Sequence, residues 1–198
     1  LNIPQVLLLT ATATQDVITD MQRKFALSPD NIIVTGFYRS NLDLTIQPCQ
    51  EEHKFPALLQ TLEADPQAAT IIYVTLQNSA EQLAESLRQS GIEAEAYHAG
   101  LKADVRERLQ QRFMRSDIAC IVATIAFGMG VDKADIRRVI HFDLPKSIEN
   151  YSQEIGRAGR DGQPSRCLLL ANQNALHVLE NFVFGDTPDL VAIRFVIE

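Results

Sequence analysis

The feature that most limits what this chain can fold into is a rhythm that begins at residue 69. Short apolar runs recur at ATIIYV (69–74), EAEAYHA (93–99), IACIVAT (118–124), RRVIHFD (137–143) and RCLLLA (166–171). Each is too short for a typical helix and is bounded by turn residues, so each reads as a strand. Between them, Ala80, Leu83, Ala84 and Leu87 recur at helical spacing, with Gly91 as a stop signal. Residues 102–115 place Val105, Leu109 and Phe113 on one helix face and Lys102, Arg106, Arg108, Arg112 and Arg115 on the others. SIENYSQEI (147–155) reads as a short helix with Ser147 as its N-cap. Strand alternating with helix predicts an α/β fold, a parallel sheet between two helical layers.

The stretch before this rhythm reads as a separate piece. PQVLLLTATAT (4–14) opens as a buried strand, and Val17, Ile18, Met21 and Phe25 then share a helix face. Ser28-Pro29-Asp30 breaks that helix, and NIIVTGF (31–37) reads as a second strand, completing a β-α-β unit. YRSNLDLTIQPCQ (38–50) would cross between domains and supply the next domain's first strand. This places the boundary near Asn41, with residues 1–41 as tail and linker and 42–198 as the second domain. A helix over 52–64 carries Phe55, Leu58, Leu59 and Leu62, and Asp65-Pro66 ends it. After about residue 171 two helix-like segments follow, 174–183 and 187–198. Without its own sheet, the first piece would expose a strand edge at Val6 to Leu9 that could pair between chains, making oligomers artefacts.

Composition excludes several classes. Among 198 residues, 46% are hydrophobic and 22% charged, ordinary for a globular chain. No apolar run approaches the ~18 residues of a membrane helix, and the first residues carry no signal-peptide pattern. Cys49, Cys120 and Cys167 lie far apart with no C-x-x-C, which fits reduced thiols in a cytosolic protein better than disulfides or zinc. His53, His98, His141 and His177 show no paired ligand spacing, so no metal site is expected. The net charge is −7, yet residues 98–166 hold 12 Lys/Arg against 9 Asp/Glu. A basic middle in an acidic chain fits a local phosphate-binding surface. It also fits chance.

Parallel sheets bind ligands beyond the carboxyl ends of their strands. His98 to Gly100, Thr124 to Met129, Asp143 to Pro145 and the TATAT block (10–14) all follow such ends. AFGMGVDK (126–133) sets Gly128 and Gly130 beside Asp132, where glycine admits a close approach or a positive φ, or is simply loop. If the helix entered at Ser147 persists, Gln153, Arg157 and Arg160 fall at i, i+4 and i+7, on one face. Two adjacent guanidinium forks suit polyphosphate oxygens. An isolated R-x-x-R is far more often two solvated arginines, and His98 alone more often a structural or solvated histidine.

These same residues carry a family resemblance. QEIGRAGRDG (153–162) resembles the last helicase motif of superfamily 2, and VATIAFGMGVDKADIRRVIHFDLP (122–145) resembles the motif before it in RecQ-type DNA helicases. YHAGL (97–101) and TATAT (10–14) are further RecQ-like blocks in the expected order, and the resemblance runs from about Val6 to about Leu170. It implies a RecA-like fold for the second domain, preceded by the β-α-β tail of a first RecA-like domain. It implies the carboxyl-terminal motor half of an ATP-dependent 3′–5′ DNA helicase acting in DNA repair and recombination. Arg157 and Arg160 would act on the γ-phosphate, one of them as arginine finger, with Arg160 favoured; Gln153 would couple nucleotide state to domain position. Gly130 and Asp132 would join the two arginines in binding nucleotide, Asp132 at the ribose. Thr75, Asn78, His98, Gly100 and Thr124 would meet the nucleic-acid backbone, and Arg39 and Asn41 would serve as hinge residues. The implied cofactors are ATP and Mg²⁺, held mainly by the upstream domain. The implied partners are single-stranded and duplex DNA and that upstream domain, with no membrane; the implied setting is bacterial cytoplasm or nucleoid.

Departures from the pattern set further expectations. There is no G-x-x-x-x-G-K-[ST] and no D-E-x-H, so the chain alone should bind ATP poorly and not hydrolyse it. Where the family usually has Ser-Arg after the strand at 71–74, this chain has Thr75-Leu76-Gln77-Asn78, so a phosphate contact is lost or passes to Thr75 or Asn78. No cysteine cluster follows Asn172, unlike the family's zinc module. An RNA helicase of the same superfamily is the near alternative, against which the long AFGMGVDK form argues. A non-catalytic nucleic-acid-binding module is the distant one, and it would have no need of an arginine pair.

Overall fold

The computed structural model describes residues 6–10, 13–34, 39–128 and 130–172. The chain divides into two compact units, Leu1–Ser40 and Asn41–Glu198.

In the first unit, helix α1 (Gln15–Phe25) forms as its spacing predicts. Thr14 caps it by accepting the Val17 N–H, and Ala26 closes it in the left-handed region at φ 50°. None of its residues is buried. Among the described residues neither flanking strand forms: residues 6–10 and 32–34 have no ladder, and Pro29–Asn31 makes a single 3₁₀ turn. The β-α-β expectation therefore keeps only its helix among the described residues. The reason is non-local, because a strand's hydrogen bonds lie in its neighbours. What is exposed is side chain rather than strand edge, with Leu7 at 80% and Leu9 at 84%.

The second unit is a six-stranded sheet in which every ladder is parallel. In chain order its elements are β1 (Leu42–Pro48), α2 (Glu51–Glu63), β2 (Thr70–Tyr73), α3 (Gln77–Gln89), β3 (Ala94–Tyr97), α4 (Ala103–Met114), β4 (Cys120–Ala123), β5 (Arg138–His141), α5 (Ile148–Ile155) and β6 (Ser165–Ala171). The spatial order is β1-β6-β5-β2-β4-β3. All residues of β2, β4 and β5 are buried, as expected of strands covered on both faces. On one face α2 and α3 pack Leu58, Leu62, Ala80, Leu83, Ala84 and Leu87 against Ile72, Val122 and Ile140. On the other, Leu109 and Phe113 of α4 join Phe127, Val131 and Ala158 over Ile71, Tyr73 and Val139. Burying each such Leu or Phe contributes about 1.5–3 kcal/mol, offsetting the entropy of ordering the chain.

Two details set the sheet's shape. Gly91 ends α3 at φ 84°, the stop its position suggests. Arg138, in the buried β5, sends its guanidinium to the Thr70 hydroxyl and to the carbonyls of Thr61 and Asp65. It thus satisfies the carboxyl end of α2, where orphan carbonyls favour a cation. Cys120 and Cys167 are buried free thiols and Cys49 is half-buried; burial pushes the Cys120 thiol up to about 12. The helix-like segments expected at 174–183 and 187–198 lie outside the described residues. No helix among the described residues is long and apolar enough to cross a membrane.

Candidate functional site

Because every strand runs the same way, all six carboxyl ends reach one rim. The arginine turn does not lie there: α5 leaves the carboxyl end of β5 and runs back along the sheet, so the turn after it sits by the strands' amino ends, next to Asn41, Ile136 and Ser165. Ser147 caps α5 by accepting the Asn150 N–H at 3.1 Å, and Glu154 seats the helix with its Oε2 2.7 Å from His141 Nε2. The helix then stops at Ile155, short of what a shared face for Gln153, Arg157 and Arg160 requires. Gly156 N–H still reaches Ser152 O, but Arg157 and Ala158 N–H turn to Glu154 O and Ile155 O, and Gly159 N–H leaves for Ile136 O. Gly159 sits at φ +53°, and a Cβ there would lie 2.6 Å from both Asn41 Nδ2 and Ser165 Oγ. Only glycine fits that crossing. Gln153 stays on α5, exposed, while the arginines leave with the turn.

The arginines nonetheless converge, on the glycine loop rather than along a helix. Arg157 Nη1 donates to Gly128 O at 2.6 Å. Arg160 Nη1 donates to Val131 O at 3.2 Å and to Asp132 Oδ1 at 2.8 Å. A Cβ on Gly128 would meet Arg157 Nη2 at 2.2 Å, so the close approach that this glycine permits is that of a guanidinium. Gly130 adopts φ +80°, and its carbonyl accepts from Gln110 of α4. The two arginines differ in freedom. Arg157 is half-buried near Tyr73, whose hydroxyl donates to Phe127 O and is pushed up by burial, against the pull of Arg157. The Arg160–Asp132 pair has side chains 36% and 89% exposed. An exposed pair contributes little and exchanges readily for a better anion.

The expected nucleic-acid residues gather around the start of α3. The α3 N-cap is Leu76, extended and without a side-chain cap bond, so its first-turn N–H groups are not covered by a capping side chain. Asn78 is exposed in that first turn, and Thr75 N–H donates to Asp143 Oδ2 at 2.8 Å. His98 is 4% exposed, its Nε2 3.1 Å from Glu81 Oε1 and its Nδ1 buried without a partner. A Cβ on Gly100 would fall 2.3 Å from Gln77 Oε1, so this glycine lets the YHAG turn lie against α3. Thr124 is buried, its N–H bonded to Tyr97 O. His98, Gly100 and α3 therefore form one cluster, while Thr75 belongs with Asp143. The TATAT block is in the first unit and follows no strand.

Sequence reasoning missed three contributors. Asn41, read as a hinge residue, donates to the carbonyls of Gly159 and Gln163 at 2.8 and 2.9 Å and so clamps the arginine turn. Glu154 and His141 form a buried pair that no pattern announced. Lys54 is buried on the face of α2 that holds Leu58 and Leu62, and its i, i+4, i+8 spacing with them was the available signal. Among the described residues, no three His, Cys, Asp or Glu side chains gather into a metal site.

A parallel sheet with paired arginines folded over the glycine loop that follows β4 defines the class of RecA-like helicase domains. Solved structures share the fold. A chain of the E. coli DEAD-box protein SrmB bound to regulator of ribonuclease activity A matches with TM-score 0.63 and 25% identity, over 77% of this chain and 89% of that one. S. cerevisiae Dbp5 bound to RNA and ADP BeF3 matches with TM-score 0.71 and 22% identity, over 90% and 49%. The helicase conserved C-terminal domain matches residues 53–162, and the chain belongs to that family, in its RecQ-like form. It is 40% identical over 167 residues to the ATP-dependent DNA helicase RecQ of Bacillus subtilis (strain 168), covering 84% of this chain and 28% of the relative. To the ATP-dependent DNA helicase RecQ of Haemophilus influenzae it is 43% identical over 165 residues, covering 83% and 26%. The chain thus spans about a quarter of the length of these curated relatives.

Proposed function

We propose that this chain is the carboxyl-terminal motor domain of an ATP-dependent 3′–5′ DNA helicase of RecQ type, coupling ATP hydrolysis to translocation along single-stranded DNA and unwinding in repair and recombination. The observation that carries the reading is the convergence of Arg157 and Arg160 on the Gly128–Asp132 loop. Two cations and an exposed carboxylate beside open glycine backbone suit the phosphate and ribose ends of a nucleotide. ATP, when bound, supplies the phosphoryl group whose hydrolysis drives the motor. The residues here position and neutralise charge. Arg157, anchored to Gly128 O, holds the turn to the loop. Arg160 is free to exchange Asp132 for the γ-phosphate and is the finger. Asp132, once released, accepts from a ribose hydroxyl. The first unit is the tail of an upstream RecA-like domain, which brings the P-loop and Mg²⁺. Around α3, open N–H groups with Thr75, Asn78, His98 and Gly100 grip backbone phosphates, so binding is salt-sensitive and nearly sequence-independent. The RecQ relatives favour DNA over RNA as the track.

The test is ATP hydrolysis by the full-length protein with and without single-stranded DNA. Arg160→Ala should lower DNA-stimulated kcat by roughly 10³-fold while nucleotide binding persists. Arg157→Ala should lower kcat and loosen nucleotide binding together. No hydrolysis by intact, folded protein with either DNA or RNA would instead favour the binding-module reading.

A further inference from the structure

The feature that the motor reading leaves unexplained is a buried lysine. Lys54 is 1% exposed, and lysine is almost never buried without a paired role. Its Nζ lies 2.9 Å from Glu51 Oε2, 3.6 Å from Asp143 Oδ1 and 5.2 Å from the centre of the Phe142 ring. Asn172 Nδ2 holds Glu51 Oε2 from the far side at 2.7 Å. Burial pushes the Glu51 carboxyl up, but the bonds from Lys54 and Asn172 more than offset this and leave it below its usual range. The other oxygen of Asp143 accepts the Thr75 N–H. A chain of contacts thus runs from α2, through the carboxyl end of β5, to the residue that leads into α3.

That placement poses an electrostatic problem. Asp143 is a carboxylate beside the turn where a backbone phosphate is to be gripped. Unneutralised, it would repel the phosphate; unanchored, it would stop fixing the Thr75 N–H. A methionine would fill the Lys54 site without the desolvation cost, so the retained charge calls for a purpose beyond packing.

We propose that Lys54 is a positioning residue for nucleic-acid grip: from the protein interior it neutralises and orients Asp143, so that the Thr75–Asn78 turn can accept a backbone phosphate. The inference rests on the nucleic-acid reading above and adds a residue that touches no DNA.

The experiment is fluorescence anisotropy of a labelled oligo-dT with the full-length protein across a salt series, with thermal unfolding of each variant alongside. Lys54→Met should weaken binding about tenfold, because one uncompensated charge then faces the phosphate. Asp143→Asn keeps an oxygen for the Thr75 N–H but removes the negative charge beside the phosphate, so it should bind more tightly than wild type. The double variant should recover to within about twofold of Asp143→Asn. Lys54→Met binding as wild type, or a double variant as weak as Lys54→Met, overturns the proposal and leaves the lysine a packing role. If Lys54→Met does not fold, Asp143→Asn is compared with Asp143→Ala while Lys54 is kept. Alanine should weaken binding about tenfold, and equal binding overturns the proposal. Wild-type protein that fails to bind at any salt overturns the nucleic-acid reading itself, and this inference with it.

Discussion

Residues 6–34 and residues 69–143 carry the same kind of text, apolar runs separated by amphipathic helices, yet only the second stretch becomes a sheet. In the first, Leu7, Leu9 and Ile33 are exposed and α1 buries nothing. In the second, all four residues of β2 are buried between β4 and β5. The helix forms in both places because its hydrogen bonds are its own. The strands form only where other strands stand beside them. An apolar run is therefore a conditional statement about a strand.

The largest expected effect is at the arginine turn, where a Cβ at Gly159 would meet Asn41 Nδ2 and Ser165 Oγ at 2.6 Å. Gly159→Val should destabilise it by about 4 kcal/mol or more, through both the positive φ and the blocked Cβ position. Gly162→Ala, at φ +79° with open space around it, should cost only about 1 kcal/mol. Urea unfolding of the two variants measures the gap, and equal costs would mean that the clamp around Gly159 contributes nothing. Next, Ile72→Ala should cost about 3 kcal/mol by opening a cavity, while Leu9→Ala should stay within about 0.5 kcal/mol. A comparable loss at Leu9 would give the first unit a core and break the contrast. The smallest effect is in acid. Glu51 titrates below its ordinary value of 4.5 in the folded chain, so its stabilisation is complete above about that pH and fades as pH falls through the lowered value. Exposed and screened, it should contribute under about 1 kcal/mol. Glu51→Gln should flatten stability between pH 6 and pH 3 by that amount, and an unchanged slope would remove Glu51 from the account.

Much of the second unit was legible because its signals are local. The Leu83 and Leu87 face, the Gly91 stop and the Ser147 cap each depend on a few neighbouring residues. The glycine loop was legible as a place of close approach, but not what approaches it. Arg157 reaches Gly128 from 29 positions away, after a helix end that spacing alone could not foresee. Asn41 reads as a boundary and hinge residue, and Lys54 is not singled out at all. Asn41 finds Gly159 and Gln163 in the turn after α5, and Lys54 finds Asp143 just past β5, where no sequence window looks.

The pairing of β1 with β6 has a consequence in time rather than space. Leu42 lies opposite Ser165, and Asn41 reaches across 118 positions to Gly159. Closing so long a loop comes late, after the nearer contacts have formed. As the chain is synthesised, α3 and the turn that leads into it can take shape while residues 159–165 are still being added. The arginine turn cannot, because the clamp that shapes it joins the first residue of its unit, Asn41, to Gly159 and Gln163. The α3 region can therefore order before the arginine turn does, and β6, the last strand among the described residues, completes the unit.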